Sequence, residues 1–173
     1  MTIEDVRYKY HDLLKSIKIC KDADFKESVL ILMYSTIDSI SWLDSKENDI
    51  LKRDGKKEFI SFCNKYIIPK MNTDITAEEL YAARCSMVHT ISATSKNNLT
   101  QNIRLICYSN NSAAVKEGNK LLNKINQNAR CLDIISLLVV LTEAIEDFFN
   151  TIAKDENKKI SVIKKSEDYY SVI

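Results

Sequence analysis

Apolar residues recur along most of this chain at spacings of three and four. Val6, Tyr10, Leu13, Leu14 and Ile17, with charges between them, predict a helix over residues 3–19 that buries one face. A second helix is expected over 24–43, where Asp24 is placed to cap free amides and Glu27 follows three residues later. Its Val29-Leu30-Ile31-Leu32-Met33 run is apolar all round, the pattern of a central helix covered on several sides. After a polar stretch at 45–55, Phe59, Ile60, Phe62, Cys63, Tyr66 and Ile67 mark a shorter helix that must end near Pro69. Thr76-Ala77-Glu78-Glu79 is a capping box, and Leu80, Ala83, Met87, Val88 and Ile91 carry the helix behind it to about residue 92.

The second half is less uniform. Residues 92–101, rich in Ser, Thr and Asn, read as a loop, and 103–108 has the composition of either a short strand or a helix start. A polar helix is expected over 112–126 with Val115, Leu121, Leu122 and Ile125 inward, then a long helix over 130–152 with its apolar centre at 134–141. Beyond Lys154 the chain is charged but ends in Tyr169-Tyr170-Ser171-Val172-Ile173, which fits a docked strand, a partner-binding end, or a packed or frayed peripheral tail. These elements predict one all-α domain, a bundle of five or six helices with 24–43, 76–92 and 130–152 at its core.

Composition agrees with helices joined by polar loops: the 173 residues include only two glycines and one proline, and 45% are hydrophobic. Twenty-five basic and 24 acidic side chains leave a net charge of +1, so any nucleic-acid site must be local rather than a product of overall charge. Five cysteines, at 20, 63, 85, 107 and 131, are odd in number and form no C-x-x-C pair, which argues against a disulfide framework and a structural zinc and predicts reduced thiols. No basic-then-apolar leader opens the chain, and its longest apolar run, Leu137-Leu138-Val139-Val140-Leu141, falls far short of the roughly 20 residues that span a bilayer. The expectation is a soluble cytoplasmic protein.

One segment carries unusual chemistry. With Leu80 at zero on an ideal helix, Met87 falls near 340°, Ile91 near 20° and Arg84 near 40°, so the arginine rises from the middle of the apolar stripe at about 100° per residue. A charge there needs a partner. Asp38, between Ile37 and Ile40 on the central helix, is the best placed. His89 falls near 180°, beside Cys85 and Glu78 and about 140° from Arg84, so the two side chains do not stack. Their convergence needs a bent arginine, a distorted helix end, or a second copy of the chain, the last favouring an intersubunit site. An arginine paired to a core aspartate beside a satisfied histidine also occurs in inert domains.

The stretch Leu80-Tyr81-Ala82-Ala83-Arg84-Cys85-Ser86-Met87-Val88-His89-Thr90 resembles the signature of the HEPN superfamily (higher eukaryotes and prokaryotes nucleotide-binding), an arginine and a histidine separated by four to six residues. Residues 32–43, from Leu32 to Leu43, resemble the central helix of some bacterial members. The resemblance implies a helical bundle, a homodimer with a groove between subunits, and metal-independent endoribonuclease activity in a stress, toxin–antitoxin or phage-defence setting. Arg84 and His89 would then be catalytic, the histidine moving a proton as a ribose 2′-hydroxyl attacks the adjacent phosphate and the arginine stabilising charge on its oxygens. Asp38, Cys85, Ser86 and Tyr81 would support them, and RNA and an antitoxin-like protein would be the partners. Two positions depart from the pattern: Cys85 stands where many active members have Asn, Asp or His, and Ile91 where some toxins have tyrosine. A noncatalytic HEPN-like module binding RNA, nucleotide or protein is the alternative.

Other constellations point nowhere specific. His11 and His89, the only histidines, have no metal-ligand spacing, and Gly55 and Gly118 stand outside any phosphate-cradling loop, so no metal or cofactor is implied. Lys52-Arg53 with Lys56-Lys57, and Lys158-Lys159 with Lys164-Lys165, could line a phosphate groove, though solvated faces explain them more simply.

Overall fold

In the computed structural model, which describes residues 1–90, 103–125 and 127–169, most helices begin where a side chain can satisfy free amides. Thr2 and Asp5 exchange hydrogen bonds in a full capping box ahead of α1 (Ile3–Asp22). Asp54 caps α3 (Gly55–Phe62) and Asn111 caps α5 (Ser112–Lys124). The Thr76 box predicted for α4 (Ala77–Thr90) is formed, Glu79 N donating to Thr76 Oγ1 at 3.2 Å and Thr76 N to Glu79 Oε2 at 2.8 Å. The start of α2 (Lys26–Asp44) differs from expectation. Asp24 adopts a left-handed conformation (φ 59°) in the turn from α1, and α2 begins without a side-chain cap.

The central position of α2 follows from its all-round apolarity. Val29, Leu30, Met33, Tyr34, Ile37, Ile40, Trp42 and Leu43 are all buried, and α2 packs on α1, α3 and α4, on α6 (Ile134–Ile152) and on α7 (Glu156–Tyr169). The second core helix, α6, buries Leu137, Leu141, Ala144, Ile145, Phe148, Phe149 and Ile152 along one face. After α3 the chain widens into a π-helical turn (Cys63–Ile67) and tightens into a 3₁₀ turn (Ile68–Lys70), so Pro69 ends the helical run as expected.

Two expectations are corrected. Residues 103–108 contain a strand, β1 (Leu105–Ser109), and it has a partner that the sequence reading placed in a helix: β2 (Ala129–Asp133). The strands pair in parallel, Leu105 opposite Ala129 and Cys107 opposite Cys131, with α5 as the crossover that parallel pairing requires. The long helix therefore starts at Ile134, with Asp133 as its cap. Second, Leu121 and Ile125 are exposed, at 58% and 57%, rather than inward. Of the readings of the charged tail, the structure shows the packed one: it forms α7, whose Val162, Lys165 and Ser166 are buried. Among the described residues there are thus seven α-helices and one two-stranded sheet, a mostly α architecture. The predicted loop at 92–101, Ile91 and the last four residues lie outside the described residues.

Two polar devices fix α4. Arg104, just before β1, pairs with Glu79 of the capping box and with Asp74 at 2.8 Å, and Arg130 of β2 meets Asp74 at 3.0 Å, tying the helix start to the sheet. The Tyr34 and Tyr108 hydroxyls hydrogen-bond to each other, joining α2, on which α4 packs, to β1.

Candidate functional site

The α4 sequence buries Leu80, Ala82, Ala83 and Met87 against α2 and α3, which leaves Arg84 emerging at the edge of the packed face. Its Nη2 donates to Asp38 Oδ2 at 2.8 Å, the pair that the arginine's place in the apolar stripe required. Burial weakens the charged form of Arg84, but the Asp38 carboxylate outweighs it and the guanidinium holds its proton more firmly than an ordinary arginine.

The other terminal nitrogen of the same guanidinium, Nη1, lies 3.1 Å from His89 Nε2. Of the three routes to convergence, the chain takes the first. The helix stays regular through this stretch, and the long arginine side chain bends along it to reach an imidazole about 7.5 Å further up the axis. No second copy is needed to bring the two together. An arginine can only donate, so a hydrogen bond in this contact needs Nε2 as the acceptor, with the ring proton on Nδ1. His89 is exposed.

Asp38 serves a second arginine, Arg53 of the basic cluster at 52–57. Arg53 Nη2 donates to the Asp38 carbonyl at 3.2 Å and lies 3.6 Å from Oδ1, its Nε donates to the buried Glu58 at 2.8 Å, and its guanidinium stacks 5.6 Å from the Trp42 ring. Glu58, Arg53, Asp38 and Arg84 thus form a chain of alternating charges, net neutral, ending on His89. Arg53 and Glu58 are five residues apart across a loop and a helix start, a spacing with no helical signature; the only signal was an arginine in a segment with few other anchors.

The remaining predicted residues divide. Tyr81 is half-buried beside the pair, edge-on to Phe59 at 5.6 Å, with the Lys56 ammonium 6.0 Å from its ring. Burial pushes the Tyr81 phenol up, and the Cys85 thiol one turn on adds to this by charge and hydrogen bonding. Cys85 is therefore at the site as a neighbour of Tyr81 and Arg84. Ser86 is not: it is 1% exposed and its hydroxyl donates to the Ala82 carbonyl within the helix, a packing role.

Among the described residues Arg84 and Asp38 are half-buried and His89 is exposed. Away from this site, among the described residues, lie an open groove of about 480 Å³ lined by His11, Lys15, Lys18 and Leu138 and another of about 320 Å³ lined by Lys70, Thr73, Leu137 and Val140. His11 is spoken for, its Nε2 2.9 Å from Glu146. Among the described residues no three His, Cys, Asp or Glu side chains are grouped to hold a metal ion, and no helix is long and apolar enough to cross a membrane. Compared with protein-family models, curated proteins and solved structures, the chain gives no match, so its reading rests on these residues.

Proposed function

We propose that the protein is a metal-independent endoribonuclease of HEPN type, cutting RNA at Arg84 and His89 in a bacterial stress or phage-defence role. The observation that carries this reading is the 3.1 Å contact between Arg84 Nη1 and His89 Nε2 on a guanidinium anchored from behind by Asp38. A phosphate arriving at Arg84 takes up the Nη1 donor, which releases the Nε2 lone pair beside the bound nucleotide. His89 then accepts the 2′-hydroxyl proton, the 2′-oxygen attacks phosphorus, and Arg84 stabilises the charge on the non-bridging oxygens. The 5′-oxygen leaves with a proton, giving a 2′,3′-cyclic phosphate and a free 5′-hydroxyl. One imidazole per chain accounts for the base; the leaving oxygen takes its proton from the imidazolium that this step forms or, in a homodimer, from a protonated His89 of the second copy. Asp38 acts through Arg84, Tyr81 borders the groove, and an antitoxin-like protein would cover the exposed histidine.

A second reading is favoured by the Arg84–Asp38 pair itself, which ties α4 to α2 as a structural link. On that reading the protein is a noncatalytic HEPN-like module that binds RNA, nucleotide or a protein partner. The test is incubation with mixed cellular RNA in EDTA, using the parent, His89→Ala and Arg84→Lys, with folding checked by circular dichroism. Cleavage to cyclic-phosphate ends that His89→Ala loses supports the enzyme. Absence of cleavage, with binding that survives His89→Ala, transfers the assignment to the module.

A further inference from the structure

Cys107 and Cys131 are twenty-four positions apart in sequence and show no motif spacing, yet the parallel ladder places them directly opposite one another. In-register neighbours across a ladder have their side chains on one face and their strands about 4.8 Å apart, inside the Cα separation of about 4.4–6.8 Å that a disulfide spans. Both thiols are reduced, Cys107 exposed and Cys131 half-buried under α5. There Gly118 leaves room for the sulfur: a methyl group at that glycine would lie 2.7 Å from Cys131 Sγ. The pair lies in a two-stranded sheet with no third strand among the described residues, and the Asn119 side chain holds the Cys131 backbone from the outer edge, which leaves its thiol on the face shared with Cys107.

We propose that Cys107 and Cys131 are a thiol pair that hydrogen peroxide oxidises to a reversible intramolecular disulfide across β1 and β2. The exposed Cys107 reacts first. Its thiolate attacks one peroxide oxygen, the O–O bond breaks, and hydroxide leaves and takes up a proton, giving a sulfenic acid and water. Cys131 sulfur then attacks the sulfenic sulfur, the S–O bond breaks, a second water leaves, and the S–S bond forms; two thiols and one peroxide become one disulfide and two waters. The order fits the surroundings of Cys131, where burial pushes the thiol up and the neighbouring Cys107 adds to it, making it the slower first nucleophile and the resolving partner. The bond would lock the α5 crossover onto the sheet. It is independent of Arg84 and His89 and forms equally in His89→Ala.

The experiment is treatment of the full-length chain with a small excess of hydrogen peroxide, quenching with N-ethylmaleimide, and peptide mapping with and without dithiothreitol. The expected result is a peptide pair joining Cys107 to Cys131, lighter by two hydrogens than the separate peptides and released by dithiothreitol, with Cys63 still reduced. In Cys131→Ser the reaction is expected to stop at a dimedone-reactive sulfenic acid on Cys107. Peroxidation of Cys107 to sulfinic acid in the parent while Cys131 remains open to maleimide would overturn the proposal, and so would a Cys107 disulfide between two chains. The parent's peptide map decides the matter even where the serine variant does not fold.

Discussion

Asp38 stands between two guanidiniums, and the sign of each substitution around it follows from which charge is left alone. Asp38→Asn keeps the shape but removes the carboxylate that both Arg84 and Arg53 face, leaving two half-buried cations side by side. A loss of about 1–3 kcal/mol is expected by urea unfolding. Adding Arg53→Gln to that variant removes one of the two cations, so the double change is expected to cost less than the sum of the two singles. His89 is the contrast. It is exposed and, among the described residues, bonded only to a guanidinium that Asp38 already holds, so His89→Ala is expected to stay within about 0.5 kcal/mol of the parent. A His89→Ala protein that unfolds would contradict its place at a functional surface. The Arg84–Asp38 pair was legible in the sequence because a charge in the middle of an apolar stripe must find an opposite charge on the helix it packs against. The Arg84–His89 contact was not, because an ideal wheel fixes Cα directions and says nothing of how far a four-bond side chain bends along the axis.

At the scale of elements, the sheet is held by a device that mimics a third strand. Asn119 of α5 donates from Nδ2 to the Cys131 carbonyl at 3.0 Å and accepts from the Cys131 amide at 2.8 Å, pairing both backbone groups on that edge of β2. Asn119→Ala removes both partners, so the Cys131 amide is expected to exchange with solvent at least tenfold faster, read by hydrogen–deuterium exchange, with a stability loss of about 1–2 kcal/mol. Unchanged exchange at Cys131 would mean that the edge is held by something else. The same strand explains where sequence reading stopped. Helices α1, α2, α4 and α6 were legible from their periodicity, and the Thr76 box from its two residue types. Strand β2 was hidden because its five residues run without glycine or proline into the apolar start of α6, so one continuous pattern covered two elements. Asp133, a capping residue directly before Ile134-Ile135, was the signal that separates them. In α5 the apolar residues matched helical spacing, but a crossover over only two strands has too little surface to cover, so Leu121 and Ile125 remain in solvent.

For the whole molecule, the charge that α7 carries bears on stability, because this helix brings an ammonium into the core. Lys165 is 2% exposed, its Nζ donating to the carbonyls of Trp42 at 2.9 Å and Ser45 at 2.7 Å and resting 4.4 Å from the Trp42 ring, where it closes the C-terminal end of α2. Burial still dominates: despite the pull of Glu58, Asp44 and Glu47, its pKa is lowered to about 8, with Lys158 adding to the depression. The unfolded chain keeps its proton up to about 10.4, so between these values it binds more protons than the native state, and this lysine's contribution to stability rises with pH across that window. The buried thiol of Cys63 and phenol of Tyr34 work in the opposite direction. Burial raises both, so the native state holds their protons while the unfolded chain releases them, and their contributions fall above about pH 9 and pH 10 respectively. The parent is therefore expected to gain stability from pH 8 to 9, level off, and lose it beyond 10. Lys165→Met removes only the first of these effects. The urea midpoint of the parent minus that of the variant is expected to increase steadily from pH 8 to about 10.4, because the parent sheds the cost of a buried charge while the variant has none to shed. A difference that stays flat over that range would mean that the carbonyls of Trp42 and Ser45 fully compensate the ammonium, and that α7 docks on α2 through a lysine charged at every pH where the protein is folded.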